Sequence, residues 1–419
     1  MIIRKNYLDK LISFKDNELV KIITGIRRSG KSTLLLMFKN YLIENGIKEH
    51  NIIYMNFESS DYDEITNYKH LNKFIKSKYK NEKIYILLDE IQLVEKWEKS
   101  INSFRVDYNC DIYITGSNAY LLSGEMATLL SGRYVSLKMY PLSFKEYLEF
   151  ESPLVYDKLT VNNQTIMVDN EPIIIKKSKE ELFYEYLKFG GLPIIPEIKN
   201  NESLTMTYLT DVKDAIIKKD IISRNNIKDT ALLENLIKFI ASNIGNIVSP
   251  KSISDYLSNG GTNPTNETVD NYLKMFENAF IIHKVSRYDI KGKELLKTLG
   301  KYYIADSGIR NSLCGYSNID EGHLLENIVY LELLRRGYDI YIGKNNEYEI
   351  DFIASNLSEK KYYQVTKSLM NENVLEREFR SLETILDNYE KIIITADRTI
   401  TTDKEGIKFL NIIDFLLEE

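Results

Sequence analysis

Cysteine is scarce in this chain of 419 residues, which contains only Cys110 and Cys314. Two thiols so far apart, without a Cys-x-x-Cys spacing, argue against a disulfide framework and a zinc site, and they favour a reducing compartment. No apolar run approaches the length of a membrane span, and the first residues, MIIRKNYLDK, lack the apolar core of a signal peptide. These absences lead us to expect a cytoplasmic protein with no membrane partner.

An excess of positive charge is also missing, because the net charge is −6. Such a chain does not coat nucleic acid by bulk attraction, although a local basic face is compatible with this charge. The hydrophobic fraction of 43% and the charged fraction of 28% are typical of globular domains that bury sizeable cores. The usual size of a domain predicts roughly two to four of them in a chain of this length.

The stretch KIITGIRRSGKSTLLL, residues 21–36, contains the strongest motif in the chain. A short apolar strand at residues 20–23 leads into residues 25–32, which fit the pattern G-x-x-x-x-G-K-[ST] of a phosphate-binding loop. Apolar residues with helical spacing follow over residues 33–41. The two glycines permit a tight turn that points N–H groups at an anion, and the helix adds the positive end of its dipole.

Each polar residue of this loop has an expected role in holding a nucleotide. Lys31 supplies a positive charge for the β- and γ-phosphates, and Ser32 supplies an oxygen for Mg²⁺. The other predicted contacts to ATP in this stretch are Gly25, Arg28, Ser29, Gly30 and Thr33. The motif therefore predicts a site for ATP, with Mg²⁺ as its cofactor.

A second motif follows at residues 83–90, KIYILLDE, where an apolar strand ends in two carboxylates. Downstream of a phosphate loop, this pattern predicts the other half of a P-loop ATPase site. In that site Asp89 holds the Mg²⁺ shell and Glu90, the predicted catalytic base, polarises the attacking water.

Two further positions are candidates for contact with the γ-phosphate. Ser117 and Asn118 follow a strand at residues 110–115, and the carboxyl ends of strands are where ligands sit in an open α/β sheet. Either side chain is a candidate sensor, with Asn118 chosen as the ATP contact, and an ordinary turn is the alternative. Arg133 is either a catalytic arginine that reaches a neighbouring subunit in a homo-oligomer or a surface arginine.

Several segments together resemble the AAA-type ATPase core of a large prokaryotic family, namely GIRRSGKSTLL, LLDEIQLVEKWE, TGSNAYLL, SGR and YPLSFKEYL. Residues 190–193 match the GG-L-P segment of that family, and LLENIVYLELLRRG matches its carboxyl-terminal helix. The resemblance covers most of the chain. It implies a nucleotide-dependent machine or switch with a carboxyl-terminal domain of unknown function.

The chain as a whole is predicted to have an α/β fold in four parts. Residues 1–140 form an AAA-type P-loop NTPase core with a parallel sheet, and residues 141–230 form a helical lid, with a hairpin insert near residues 160–177. Residues 231–305 form a winged-helix module. Residues 306–419 form a small α/β domain of the restriction-endonuclease-like kind.

The winged-helix prediction rests on three helices and a hairpin. Residues 249–293 are a candidate DNA contact, because Lys291 and Lys293 lie on the turn of the hairpin, where they meet phosphates in such modules. The third helix, residues 267–278, is more acidic than basic, which suits a protein-packing role. Both kinds of partner remain open.

Residues 306–419 contain polar residues in nearly the same order as the metal site of a nuclease. In such a site, carboxylates hold Mg²⁺ and a lysine helps to activate water. Glu326 lies on a predicted helix, and Asp351 lies on the strand after it. On the next strand Gln364 replaces a carboxylate, Thr366 occupies the lysine position, and Lys367 faces the other side. We therefore predict a degenerate site without cleavage activity.

The leading hypothesis is an AAA-type enzyme that hydrolyses ATP with Mg²⁺ and couples the nucleotide state to DNA or protein binding by its carboxyl-terminal domains. One alternative is a slow ATP-dependent switch in signalling or defence. The other is a Mg²⁺-dependent nuclease.

Overall fold

The computed structural model describes residues 4–122, 129–151, 160–161, 164–165, 167–168, 171–172, 177–259, 264–398 and 403–418. These residues form two compact units. The first comprises the described residues up to 140 together with 278–280, and the second comprises those of 141–277 and 281–419. Within the described ranges, every helix is too short or too polar to span a lipid bilayer.

The first unit is an α/β fold. Its main elements are α1 (Lys5–Ser13), β1 (Val20–Thr24), α2 (Lys31–Glu44), β2 (Ile52–Asn56), α3 (Tyr68–Lys78), β3 (Ile84–Asp89), α4 (Trp97–Asp107), β4 (Cys110–Gly116) and β5 (Tyr134–Lys138). The strands form one sheet in the order β2-β3-β4-β1-β5, and every pair in it is parallel. The predicted α/β fold with a parallel sheet is confirmed for this part of the chain.

The apolar runs of β1 and β3 are long because both faces of this sheet are covered. Successive residues of a strand point to opposite faces, so each face collects every second side chain. Ile22 and Ile86 pack in one apolar cluster with Phe104 of α4, whereas Ile23 packs in the other with Phe38 of α2. The carboxyl ends of the strands are thereby held rigidly at one edge of the sheet.

The first part of the second unit is mainly helical. It contains α5 (Phe144–Glu151), α6 (Lys179–Phe189), α7 (Ile195–Ile198), α8 (Glu202–Ala215), a π-helix (Ile216–Ile222) and α9 (Ser223–Asn225). Between α5 and α6, β6 (Thr160–Val161) pairs with β7 (Gln164–Thr165), and β8 (Met167–Val168) pairs with β9 (Glu171–Pro172). The predicted hairpin insert at residues 160–177 otherwise lies outside the described residues.

The remaining elements begin with α10 (Thr230–Ser242), β10 (Ile247–Val248), α11 (Pro250–Asn259), α12 (Asn266–Asn278), β11 (Ile282–Asp289) and β12 (Glu294–Ile304). They continue with α13 (Ser307–Cys314), α14 (Glu321–Arg335), β13 (Asp339–Asn345), β14 (Tyr348–Ser355), β15 (Lys360–Thr366), α15 (Glu372–Glu383), β16 (Glu390–Thr395), β17 (Ile407–Asn411) and α16 (Ile412–Leu417). The winged-helix and restriction-endonuclease-like assignments of these elements stay predictions.

The strands after residue 245 form one continuous sheet of eight, in the order β10-β12-β11-β13-β14-β15-β16-β17. Strand β11 pairs with β12 on one side, antiparallel, and with β13 on the other side, parallel. Periodicity along the sequence predicts two modules with a boundary at residue 305. It does not reveal that one hydrogen-bonded sheet contains strands of both modules.

The glycine pair of the GG-L-P segment packs around a buried carboxylate. Asp306 begins α13: its Oδ1 accepts a hydrogen bond from Ile309 N at 3.1 Å, and its Oδ2 accepts one from Gly191 N at 2.7 Å. Gly190 has a φ of +80°, and a Cβ at this position would collide with the Asp306 carboxylate. Burial raises the pKa of Asp306 to about 6. The segment thus has a structural role in joining α6 to α13.

Candidate functional site

The predicted phosphate loop connects the end of β1 to the start of α2. Gly25 has a φ of +144° and Gly30 one of +96°, so both use backbone conformations that favour glycine. A Cβ on Gly25 would collide with the carbonyl oxygen of Met139, which makes this position too crowded for any side chain. Arg28 also has a positive φ, of 67°, and its side chain is exposed.

Lys31 lies against the loop that precedes it. Its side chain is 4% exposed, and Nζ donates to the carbonyl oxygens of Gly25 and Ile26, each at 3.0 Å. Ser32 and Thr33 follow in the first turn of α2, where both are half-buried. The ammonium is thereby placed at the N-terminus of the helix, where an anion would be favoured.

The Ser29 hydroxyl, at the crest of the loop, is fully buried and has no hydrogen-bond partner among the described residues. Most buried hydroxyls in proteins are hydrogen-bonded, so this one fits a loop whose partner comes from a ligand.

The two predicted acids lie at the end of β3, which is separated from β1 by β4. Asp89 is completely buried, and its Oδ1 accepts a hydrogen bond from Thr115 Oγ1 of β4. Its other oxygen, Oδ2, has no hydrogen-bond partner in the part of the chain that the structure describes. A buried carboxylate oxygen without a partner is costly, and a cation would remove that cost. Burial and the charge of Asp89 raise the pKa of the neighbouring Tyr54 to about 12.

Glu90 has a positive φ of 54° and is also buried. Its backbone N–H donates to Thr115 Oγ1 at 3.0 Å, and its Oε2 accepts hydrogen bonds from Ser117 Oγ at 3.3 Å and from Gln92 Nε2. Burial raises the pKa of Glu90, and the charge of Lys31 opposes that shift. A carboxylate with a raised pKa is better matched to proton transfer near neutral pH.

The candidate sensor Asn118 and the candidate arginine Arg133 lie in different parts of the first unit. Asn118 is fully buried, and its Oδ1 accepts a hydrogen bond from Tyr120 N at 2.9 Å within the turn after β4. Arg133 is exposed, and its carbonyl oxygen accepts a hydrogen bond from Val20 N at 3.0 Å, beside the first residue of β1. Since the loop lies at the other end of β1, the backbone of Arg133 is about 13 Å or more from the loop of its own chain.

Three residues that contact the predicted site are given no role by the sequence analysis. Thr115 and Gln92 lie within the TGSNAYLL and LLDEIQLVEKWE segments, beside the residues that were singled out. Arg4 is 4% exposed, and its Nη1 donates to Ser29 O at 3.1 Å and to Tyr140 O at 2.7 Å. The guanidinium lies 4.5 Å from the centroid of the Tyr7 ring. Arg4 thus supports the phosphate loop through its hydrogen bond to the backbone of Ser29.

In the carboxyl-terminal unit, Glu326 and Asp351 are brought together by a lysine that the sequence did not single out. Lys301 Nζ lies 2.8 Å from Glu326 Oε1, 2.8 Å from Glu349 Oε1 and 3.3 Å from Asp351 Oδ1. We call these four residues the Lys301 cluster. Tyr303 also donates a hydrogen bond to Glu326.

The other two nuclease-like candidates lie beside and outside this cluster. Gln364 Oε1 accepts a hydrogen bond from Asp351 N at 2.9 Å, and its Nε2 donates to Glu378 Oε2 at 2.8 Å. Lys367 instead pairs with Glu321, at 2.6 Å, so it does not reach the carboxylates of the cluster. Among the described residues, no group of three or more His, Cys, Asp or Glu side chains is arranged to hold a metal ion.

The candidate DNA contacts are exposed but mixed in charge. Lys291 and Lys293 both lie on the turn between β11 and β12, where Gly292 N donates to Asp289 Oδ1 at 2.7 Å. Helix α12 has one lysine, Lys274, and three acids, Glu267, Asp270 and Glu277. The third helix is therefore acidic where a helix in the major groove would meet phosphates.

Residues 17–148 match a family model described as an AAA domain, and residues 180–320 match a domain of unknown function, DUF8612. An uncharacterized protein of Haemophilus influenzae is 44% identical over 420 residues, which cover 100% of this chain and 99% of that protein. Uncharacterized protein MJ1544 of Methanocaldococcus jannaschii is 30% identical, over 99% of this chain and 88% of its own length. The Walker-type ATPase PABY2304 of Pyrococcus abyssi aligns with 75% of this chain and 96% of its own, at 17% identity and a TM-score of 0.49.

The match at residues 17–148 confirms the predicted AAA-type core and indicates a nucleotide-binding unit with a P-loop fold. The second match confirms that the core is followed by a domain of unknown function. The chain belongs to the protein family that includes these Haemophilus influenzae and Methanocaldococcus jannaschii relatives, and its residues 17–148 match the AAA domain model.

Proposed function

We propose that this protein is a Mg²⁺-dependent ATPase that binds ATP at residues 25–32 and hydrolyses it with Glu90 as the general base. The observation that carries this proposal is the pairing of a glycine-framed loop with the two buried acids of β3. Lys31 and Glu90 influence each other electrostatically, and Thr115 contacts both Asp89 and Glu90.

The residues present fit a nucleotide and its metal ion. Gly25 and Gly30 allow the backbone to turn as a phosphate loop does, and the Ser29 hydroxyl lacks a partner within the described residues. Lys31 would exchange the two loop carbonyls that it now contacts for phosphate oxygens. Ser32 and Asp89 would hold Mg²⁺, which supplies neutralisation of the charge that develops on the phosphates.

The chemical step that this chain can perform is proton transfer from water. Glu90 accepts the proton of the attacking water, and its raised pKa suits that role. Thr115 keeps the two acids in place by its hydrogen bonds to each of them. We propose Ser117 or Asn118 as the residue that senses the γ-phosphate, and Ser117 already contacts Glu90.

Paired substitutions test this function. Lys31→Ala should abolish ATP binding in calorimetry with Mg²⁺, whereas Glu90→Gln should bind ATP and lose about 10²–10⁴-fold in turnover. Lys10→Ala and Glu95→Gln, which change exposed residues of the same unit, serve as matched controls. Turnover at the parental rate in Glu90→Gln would show that this glutamate is not the base. Absence of ATP binding in the parental protein would refute the proposal altogether.

A slow ATP-dependent switch is the second candidate, and the hydrogen bonds of Glu90 favour it. Its Oε2 already accepts hydrogen bonds from Gln92 and Ser117, so the carboxylate must give up a partner before it accepts a proton there. A monomer that retains nucleotide tightly and turns over slowly would support the switch. An oligomer with fast turnover would support the enzyme.

We also propose that the carboxyl-terminal domains couple the nucleotide state to a DNA or protein partner. Lys291 and Lys293 favour DNA, and the acidic α12 favours a protein. Turnover should be measured with and without duplex DNA at two salt concentrations, since phosphate contacts weaken steeply with salt. Stimulation that is lost in Lys291→Gln/Lys293→Gln would assign the partner to DNA.

A further inference from the structure

The Lys301 cluster belongs to the second unit, and no step proposed above uses it. We propose that Lys301 is a built-in cation that occupies the position where a divalent metal ion would otherwise bind between Glu326, Glu349 and Asp351, so that this site takes no metal. The inference concerns the carboxyl-terminal unit alone and is independent of ATP hydrolysis.

Three carboxylates surround the Lys301 ammonium, and carboxylates are donors that Mg²⁺ and Ca²⁺ prefer in proteins. The distances from the carboxylate oxygens to the cation indicate whether this position suits a metal ion or an ammonium group. Oxygen ligands lie about 2.1 Å from Mg²⁺ and about 2.3–2.6 Å from Ca²⁺. The carboxylate oxygens here lie 2.8, 2.8 and 3.3 Å from the Lys301 nitrogen, which is longer than a metal–oxygen bond and within the range of ion pairs with an ammonium group. The carboxylates are therefore spread to the radius of an ammonium group.

The ammonium is fixed from both the backbone and the side chain. Lys301 pairs with Ile247 of β10 on one side and with Val285 of β11 on the other, so β12 cannot shift without breaking both ladders. Its side chain is 3% exposed. The ammonium donates hydrogen bonds to Glu326 and Asp351, and it forms an ion pair with Glu349. A metal ion would have to displace a side chain that is anchored in the middle of a sheet.

Charge keeps the lysine in this place. Burial alone would lower the pKa of Lys301, but the carboxylates of Glu326, Asp351 and Glu349 raise it above its usual range, so the ammonium stays charged. Burial also raises the pKa of Glu326, and Lys301 opposes that shift. The lysine is thus the counter-charge of the buried Glu326 carboxylate and of its partly exposed neighbours Glu349 and Asp351.

Neighbouring groups hydrogen-bond to Asp351 and to one another. Val365 N donates to Asp351 Oδ2 at 2.9 Å, and Gln364 occupies the side of Asp351 where the motif of a nuclease would bring a second strand carboxylate. Gln364 in turn donates to Glu378. In a metal site, the free carboxylate oxygens bind the ion or its water molecules. Here a protein N–H group occupies Asp351 Oδ2 instead.

The first experiment measures thermal unfolding of the nucleotide-free full chain, in the Asp89→Asn background, with and without Ca²⁺ or Mn²⁺. We expect no metal-dependent shift with Lys301 present. In Lys301→Ala the vacated position should accept the ion, so Ca²⁺ should raise the unfolding midpoint by about 5 °C or more, and adding Asp351→Asn should cancel that gain. Stabilisation of the parental chain by metal that Asp351→Asn removes would overturn the proposal, as would a Lys301→Ala protein that ignores both ions.

A second pair of variants keeps the proposal testable if Lys301→Ala folds poorly. Lys301→Met removes the charge and should lower the unfolding midpoint by about 5 °C or more, because the buried Glu326 carboxylate loses its counter-ion. Lys301→Met/Glu326→Gln removes one negative charge as well and should recover part of that loss. Lys284→Met, at an exposed lysine of β11, is the matched control and should change little. No recovery in the double variant would contradict the counter-charge role.

A nuclease assay gives an independent readout. Plasmid DNA incubated with the parental protein and Mn²⁺ should stay intact, because the position for the metal ion is taken. Cleavage that disappears in Asp351→Ala would show that a metal ion does reach the Lys301 cluster, and the proposal would fail.

Discussion

The hydroxyl oxygen of Thr115 accepts a hydrogen bond from the backbone N–H of Glu90 at 3.0 Å. The same hydroxyl donates to Asp89, so one side chain of β4 positions both acids of β3. Such an arrangement makes the geometry of the two acids depend on a residue that belongs to neither motif.

Thr115→Val is therefore expected to lower turnover by about tenfold or more. It leaves the Glu90 N–H and the Asp89 carboxylate without their common partner, and each buried polar group left unpaired costs about 1–3 kcal/mol. Steady-state kinetics at saturating Mg²⁺ and ATP provide the measurement. Thr115→Ser, which retains the hydroxyl, is the control and should keep most of the activity. Equal rates in the valine and serine variants would contradict this role.

The hydrogen bond from Gln92 to Glu90 predicts a shift in the pH profile. Burial raises the pKa of Glu90 above its ordinary value, and the Gln92 contact favours the ionised form. Gln92→Met removes that contact and should raise the pKa further, so the acid limb of kcat/KM moves to higher pH. Rates measured between pH 5 and pH 9 would reveal it. A limb that stays in place, or moves to lower pH, would argue that Glu90 is not the group that titrates.

Arg4 predicts an effect on ATP affinity from outside the motifs. Arg4→Gln leaves the carbonyls of Ser29 and Tyr140 with a weaker partner, so the phosphate loop loses its support. We expect KM for ATP to rise about tenfold, from a cost of about 1–2 kcal/mol, while kcat falls less. Arg4→Lys should be intermediate, and Lys5→Gln, at an exposed neighbour, should behave as the parent. A loss confined to kcat would rule out a role in shaping the loop.

Arg133 lies at the amino end of β5, so we expect it to act on the site of a neighbouring subunit. Arg133→Ala should reduce turnover by about 10³-fold, as the loss of such an arginine does elsewhere, with ATP binding retained. Mixing Arg133→Ala with Glu90→Gln should restore part of the activity, because some interfaces then combine an intact arginine with an intact base. Light scattering on the same samples reports the assembly. A monomer with unaltered turnover in Arg133→Ala would leave only the surface-arginine interpretation.

Asp306 predicts a pH dependence of stability. Its folded-state pKa is about 6, which is above the unfolded value of about 3.9, so the native state binds the proton more tightly. The resulting stabilisation is fully present below about pH 4 and is lost as pH rises through 6, at up to about 1.4 kcal/mol per pH unit.

Asp306→Asn retains the acceptor oxygen for Gly191 N but cannot titrate. Its unfolding midpoint, relative to the parent, should therefore rise between pH 4.5 and pH 7. Thermal unfolding in a buffer series provides the measurement. A difference between the two proteins that does not change with pH would contradict the raised pKa.

The parts of the fold that sequence predicted well are those in which the signal is local. The strand predicted at residues 83–90 is β3 (Ile84–Asp89), and the helix predicted at residues 33–41 is α2 (Lys31–Glu44), because apolar periodicity and the glycine-framed turn are both contained in short windows. The phosphate loop and the two acids were predicted from windows of the same short length.

The missed features depend on contacts between distant residues. The parallel pairing of β11 with β13 leaves no mark in either strand, and the Lys301 cluster unites positions from 301 to 351 that no spacing rule connects. Arg4 reaches Tyr140, 136 positions away. Such groupings arise from tertiary packing, and only the folded chain reveals them.

The continuous ladder from β10 to β17 has a consequence for dissecting the protein. Cutting the chain near residue 305 would separate β11 from its partner β13 and leave the backbone N–H and C=O groups of their three paired positions exposed on each fragment. In separately produced fragments, these unpaired strand edges would be free to pair with other chains. Aggregation of either fragment would therefore result from the exposed strand edges and not from an unstable fold.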